Sequence, residues 1–160
     1  MSVGNDYQIS SEGAVRHWEV PYARMTDATP AVGDPAEMTA LTAGTEVGGT
    51  VLAIDAVVSR AVVDVTCGMV YKFEVRNVRT YNPGVAELTW GVIDVGHRVY
   101  YDNSASMPAT CKLSTSPLDL TGAANSLFGT VVYSGTVTLP TTTATAATEE
   151  IPIMQRGSGA

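Results

Sequence analysis

The sequence predicts an all-β protein, and three observations carry that prediction. Small and β-branched residues, chiefly Thr, Ala, Gly, Ser and Val, are abundant, and β-branched side chains pack better on a pleated sheet than in a helix. Apolar and polar residues alternate with a period of two along residues 69–78, as in a strand with one buried face. Short apolar runs punctuated by glycine at roughly ten-residue spacing are typical of a sandwich or barrel.

The N-terminal part is expected to hold few regular elements. Residues 1–16 are polar and lack periodicity, which predicts a mobile arm. Residues 17–23 (HWEVPYA) predict a short strand that Pro21 confines to an edge or a bulge. Residues 24–44 predict a long excursion with at most a short helical turn around Glu37–Leu41.

Stronger strand patterns begin at Gly48-Gly49 and continue through the runs 50–57, 60–66 and 69–78. After a turn at Asn82-Pro83-Gly84, further strands are predicted in WGVIDVG, HRVYYD, LFGTVVYSGTVTLP and EEIPIMQ. The threonine-rich segment 138–150 is a long loop or an extended edge segment. The predicted organisation is an arm at 1–16, one β-domain at 17–155 and a flexible tail at 156–160.

Charge argues against nucleic acid and anionic membranes as partners. The net charge is −7, and the nine Lys and Arg residues are scattered singly, whereas phosphate binding needs clustered cations. The nearest approach to a cluster is Lys72, Arg76 and Arg79, interrupted by Glu74. We expect these residues to form an ordinary solvated strand face.

The cysteines and histidines show no metal-ligand pattern. Cys67 and Cys111 lie far apart without CxxC or Cys/His spacing, which predicts two reduced, partly buried thiols in a protein made in a cytoplasm. His17 and His97 are expected to be strand or turn residues rather than general bases. The sequence predicts no metal site and no cofactor.

No motif of an enzyme is found, so a non-enzymatic protein is predicted. There is no GxSxG, and the glycine-rich GTEVGG at 44–49 lacks the lysine and hydroxyl of a phosphate-binding loop. Four aspartates occur at or near predicted strand ends, where a carboxylate usually caps a turn: Asp55, Asp64, Asp94 and Asp102. A hydrolase that uses these carboxylates stays open as an alternative.

Two adjacent tyrosines precede a polar loop. Tyr100 and Tyr101 point to opposite faces of one predicted strand, so we expect one in the core and the other at a surface or subunit contact. Asp102-Asn103 turn the chain, and Leu113 resumes the sheet. Turn chemistry is the favoured interpretation of this stretch, and the alternative is a subunit-interface role for one of the candidates Tyr100 and Tyr101.

Three segments of the second half resemble the capsid cement, or head decoration, proteins of tailed bacteriophages: VGHRVYYD (95–102), KLSTSP (112–117) and GAANSLFGTVV (122–132). The upstream stretch AGTEVGGTVLAIDAVVSRAVVDVTCGMVYKFEV also resembles that family's glycine-started and Val-rich strands. Together the resemblance spans roughly residues 44–138. The chain departs from the family pattern at His97, where an acid is expected, and in the stretches 24–44 and 138–150.

The resemblance implies a compact β-sandwich or β-barrel, jelly-roll or β-tulip-like, with a flexible N-terminal arm. It implies a virion structural protein, made in the host bacterial cytoplasm, that binds the major capsid protein as a homotrimer on the outer surface of an icosahedral head. The arm would drape onto a neighbour, with Val3, Tyr7 and Ile9 as the candidate capsid contacts.

A second hypothesis is a glycan- or receptor-binding β-module on a virion. Its candidate sugar platforms are the aromatic residues Trp18, Trp90 and Tyr101. The alternative for both tryptophans is a place in the core, because they lie amid apolar strands.

Overall fold

The computed structural model describes residues 7–9, 16–39, 47–78, 93–104, 107, 111–119, 121–132 and 148–157. The strands in these ranges are β1 (Tyr7–Ile9), β2 (Arg16–Pro21), β3 (Pro35–Met38), β4 (Val47–Asp55), β5 (Arg60–Asp64), β6 (Val70–Arg76), β7 (Arg98–Tyr101), β8 (Leu113–Ser114), β9 (Ser126–Val131) and β10 (Thr148–Gln155), with a 3-10 turn at Tyr22–Arg24. The prediction of an all-β protein is confirmed. A helix long and apolar enough to cross a membrane does not occur in the described ranges.

The chain divides into two compact units. The sheet unit comprises Met1–Met69 with Gln155–Ala160, and the barrel unit comprises Val70–Met154. The predicted division into an arm, one domain and a tail stays a prediction.

The sheet unit is built on five strands in the order β1-β2-β5-β4-β3, with antiparallel pairing throughout. Its core consists of Val20, Met25, Ala36, Met38, Val51, Ala61, Val63 and Val65. Gly49 allows β4 to approach the neighbouring strand, because a Cβ at this position would collide with the carbonyl of Asp64 and come within 2.8 Å of the Val63 side chain. Pro21 ends β2 beyond the part that pairs with β1, where its missing N–H costs no hydrogen bond to that strand.

The helical turn predicted around Glu37–Leu41 is wrong for its described part, because Glu37 and Met38 belong to β3. Pairing with β4 overrides the weak helix propensity of this patch. The outer edge of β3 is covered by the chain itself, since Thr26 N–H donates to the Glu37 carbonyl at 2.9 Å and Thr39 N–H donates to the Arg24 carbonyl at 2.7 Å. This edge is therefore closed to further strand pairing.

Gln155, the last residue of β10, is a buried polar residue of the sheet unit. Gln155 is 1% exposed, and its amide nitrogen donates to the carbonyls of Asp64 and Thr66, both at 3.0 Å. Its amide oxygen accepts from the Thr50 hydroxyl at 2.8 Å. Because every one of these groups is buried, their mutual hydrogen bonds offset the loss of water.

The barrel unit is a closed barrel of five strands in the order β10-β6-β8-β7-β9, antiparallel except for β6 and β8. Its core contains Phe73, Val75, Ile93, Val99, Tyr101, Leu113, Phe128, Val131, Ile151 and Ile153. The rings of Phe73 and Phe128 meet edge to face with centroids 5.3 Å apart, the arrangement that aromatic quadrupoles favour. The return of the chain to the sheet at Leu113 is confirmed.

The predicted runs 60–66 and 69–78 correspond to β5 and β6 with shorter bounds, whereas the run 50–57 corresponds to β4, which begins earlier at Val47 and ends at Asp55. Along β6 the predicted alternation holds for Phe73 and Val75, which are buried, and for Lys72, which is exposed. It fails at Arg76, which is 2% exposed.

Candidate functional site

The strand-end aspartates cap turns, as predicted. Each accepts backbone N–H bonds from residues just after it: Asp55 from Val57 and Val58, Asp64 from Thr66, Asp94 from Val95, and Asp102 from Ser104. Asp27 and Asp119 make the same kind of turn with Thr29 and Thr121. These hydrogen bonds give each carboxylate a structural role in a loop.

The end of β4 and the turn that follows it expose large apolar side chains. Val57 is 94% exposed, Val58 is 57% exposed and Ile54 is 43% exposed. We call these three residues the apolar tip. Singly exposed apolar residues are common on soluble proteins, but three of them within five residues of one hairpin make it a candidate contact surface.

The turn that carries the apolar tip is fixed by hydrogen bonds. The carboxylate of Asp55 accepts from the N–H groups of Val57 at 3.0 Å and Val58 at 3.4 Å. Ser59 has a φ of 53°, and its carbonyl accepts from the N–H of Tyr22 at 2.9 Å. A turn fixed in this way loses little conformational entropy when it binds a partner.

An open depression of about 350 Å³ lies on the barrel unit, and its described lining consists of His97, Arg98, Tyr100, Thr115 and Pro117. We call it the Tyr100 depression. Tyr100 and Arg98 project from the same face of β7, because strand side chains alternate. Burial lowers the pKa of His97, so the Arg98 guanidinium is the charged group of this lining near neutral pH.

The two predicted interface tyrosines lie on opposite faces of β7, as expected. Tyr101 is 3% exposed and belongs to the barrel core, whereas Tyr100 is half-buried and lines the depression. The turn after them is held by Asp102, whose carboxylate accepts from Ser104 N–H at 2.9 Å. The subunit-interface role stays a prediction, and Tyr100 is the residue of the pair that has surface to offer.

Two of the three candidate sugar platforms pack against or within an apolar core. Trp18 packs against the core of the sheet unit, and Tyr101 lies within the core of the barrel unit. Trp90 lies outside the described residues. The core placement considered for Trp18 agrees with its packing against the sheet-unit core. An exposed platform at Tyr101 is wrong, because its ring lies among apolar neighbours in the barrel core.

The predicted solvated face of basic residues is also wrong in part. Lys72 is exposed, but Arg76 is buried, with its Nη1 3.9 Å from the sulfur of Met107. Arg79 lies outside the described residues. The side chain of Met107 therefore contacts Arg76 at the end of β6.

The candidate arm residues are described only in part. Tyr7 and Ile9 pair with Trp18 and Arg16 of β2 at the edge of the sheet, and Val3 lies outside the described residues. Both cysteines are free thiols as predicted, although Cys67 is exposed rather than partly buried. Within the described ranges no three His, Cys, Asp or Glu residues come together as a metal-binding group.

Comparison of the chain with protein-family models, with curated proteins and with solved structures finds no match. The features that bear on function are therefore the apolar tip, the Tyr100 depression and the segments that resemble head decoration proteins.

The sequence pattern does not reveal the apolar tip, and of the depression it indicates only Tyr100. The predicted strand 50–57 includes Val57, so no exposed turn is expected there. Asp55 is nevertheless predicted to cap a turn. That cap, followed by two valines and a serine, was the available signal for an apolar turn. The depression depends on residues from β7 and from the segment after β8, which no local pattern brings together.

Proposed function

We propose that this chain is a virion structural protein that binds the outer surface of an icosahedral phage head and stabilises contacts between coat subunits. The apolar tip is the observation that carries the proposal, because a fixed turn with Val57 94% exposed suits insertion into an apolar recess of another protein. The resemblance of residues 44–138 to head decoration proteins supplies the class of partner, the major capsid protein. The homotrimer is proposed from that resemblance alone.

Charge and repetition support this proposal. A chain with a net charge of −7 repels packaged DNA. On a capsid the same contact repeats at every equivalent position, and linked copies bind with an avidity far above that of one contact. A modest apolar patch is therefore sufficient for stable decoration.

The N-terminal strand offers a second point of attachment. Within the described residues, β1 pairs with β2 through Tyr7, Gln8 and Ile9. A strand held by so few pairs can exchange onto the sheet edge of a neighbouring subunit. Val3, Tyr7 and Ile9 remain the proposed capsid-contacting residues of the arm.

The apolar tip can be tested with heads assembled from the coat protein encoded in the same genome. Val57→Asp is expected to weaken binding to expanded heads by about tenfold or more, because it places a charge in an apolar contact. The measurement is co-sedimentation of labelled protein with heads over a range of concentrations.

Val32→Asp is the matched control, since Val32 is 60% exposed in a different turn of the same unit. It is expected to bind as the parent protein does. Circular dichroism and thermal unfolding check that both variants keep their strands. Equal binding of Val57→Asp and the parent protein would exclude the apolar tip as the capsid contact.

A further inference from the structure

We propose that the Tyr100 depression binds a carboxylate-bearing sugar residue, such as a hexuronate or a sialic acid, through the ring of Tyr100 and the guanidinium of Arg98. This inference does not depend on capsid binding. It stands on the lining of the depression and on the charge distribution of the chain.

Arg98 is the charged group of the described lining, and it makes none of the contacts that hold several other described cations. Arg60 makes an ion pair with Glu19 at 3.1 Å, Lys112 donates to Asn103 at 2.8 Å, and Arg76 is buried. Arg98 is exposed and makes no hydrogen bond or ion pair within the described part of the chain. A guanidinium matches the two oxygens of a carboxylate in a bidentate pair.

The described lining of the depression adds apolar surface beside this cation and contains no acid. Tyr100 and Pro117 provide flat apolar groups, and Tyr100 is held in place by pairing with Ser114 on one side and Leu127 on the other. A bare inorganic anion gains nothing from an aromatic ring. A sugar ring does, because its C–H face is apolar while its substituents are polar.

The floor of the depression is fixed before any ligand arrives. The hydroxyl of Thr115 accepts from Val78 N–H at 2.8 Å and donates to the Val78 carbonyl at 2.7 Å. A cavity of about 350 Å³ is at the lower end of the range for small-molecule sites. It therefore suits a terminal monosaccharide better than a long oligosaccharide.

The test is an NMR titration of the ¹⁵N-labelled protein with the methyl glycosides of N-acetylneuraminic acid and glucuronic acid. The neutral methyl glucoside, acetate and inorganic phosphate serve as comparison ligands. We expect an acidic glycoside to shift the amide signals of residues 97–100 and 115–117 with a millimolar Kd, and each comparison ligand to bind about tenfold more weakly or not at all.

Variants separate the two contacts. Arg98→Gln and Tyr100→Ala are each expected to weaken binding about tenfold, while Tyr100→Phe keeps the ring and retains binding. Lys72→Gln is the matched control, because it removes the same charge from an exposed position of the barrel unit outside the lining.

Several results would overturn the proposal. Equal binding of acetate or phosphate would reduce the depression to a simple anion site, and equal binding of methyl glucoside would remove the role of Arg98. Unchanged binding by Arg98→Gln would likewise exclude Arg98 as the group that binds the carboxylate. An absence of shifts up to about 20 mM acidic glycoside would exclude the site. Head binding is measured separately, so either proposal can fail without the other.

Discussion

At the scale of single residues, the two thiols show how placement alters the same chemistry. Cys67 is exposed in the turn after β5, whereas Cys111 is buried next to β8. Burial raises the pKa of the Cys111 thiol to about 12, because desolvation disfavours the thiolate. The thiolate is the reactive form, so the two residues should differ greatly in their rates of alkylation.

Iodoacetamide at about pH 8 should therefore modify Cys67 and leave Cys111 unmodified in the folded protein. Intact-mass analysis and peptide mapping should show a single carbamidomethyl group, and none in a Cys67→Ser variant. In denaturant both thiols should react. Rapid modification of Cys111 in the folded protein would contradict its burial.

The raised pKa of Cys111 predicts that the protein loses stability at high pH. The folded state of Cys111 holds its proton more tightly than the ordinary thiol, whose pKa is 9.0. Its contribution to the free energy of unfolding is complete below pH 9 and is lost as the pH rises towards about 12. Cys111→Ala should reduce this slope in denaturant titrations across that range.

Single residues also show how far sequence reasoning reaches. The turn-capping aspartates were predictable, because an aspartate makes its hydrogen bonds to residues that follow directly in the chain. The burial of Arg76 was not predictable. Its place on the polar face of β6 follows from alternation, but its contact with Met107 joins residues that lie far apart in the chain. Periodicity assigns a face and does not say what covers it.

At the scale of elements, the closure of the barrel depends on a glycine. Gly129 of β9 faces β10 so closely that a Cβ would collide with the carbonyl of Met154 and come within 2.9 Å of the Ile153 side chain. The backbone at Met154 cannot move away without disturbing its pairing with β6. A glycine inside a strand usually marks such a close approach.

Gly129→Ala is expected to lower the free energy of unfolding by about 1–3 kcal/mol through overpacking. Gly122→Asn is the matched control, because Gly122 has a φ of 85° with nothing within 4 Å, and asparagine tolerates that conformation. Urea unfolding followed by circular dichroism measures both. A Gly129→Ala variant as stable as the parent protein would show that β9 and β10 can separate at no cost.

Elements with strong local patterns were predictable, and those decided by long-range pairing were not. The alternation along β6 and the glycine start of β4 locate both strands in the sequence. β3 begins with Pro35 and has four residues, too few to show a period. It forms because β4 offers a partner. The apolar tip is an intermediate case. Asp55 marks the turn in the sequence, whereas the exposure of Val57 is set by the tertiary structure.

At the scale of the whole molecule, the chain offers surfaces for other molecules. The surfaces on which the two proposals rest are the apolar tip, the short strand β1 and the Tyr100 depression. In the proposed setting the apolar tip and β1 would hold coat subunits, while the depression would take a small acidic ligand.

The measurement that tests the central proposal most directly is the number of copies bound to a head. Expanded heads assembled from the coat protein of the same genome would be incubated with increasing amounts of the protein, sedimented and quantified. We expect saturable binding at a fixed number of copies divisible by three, with a higher resistance of the heads to heat. Recovery of all the protein in the supernatant at every concentration would contradict the account.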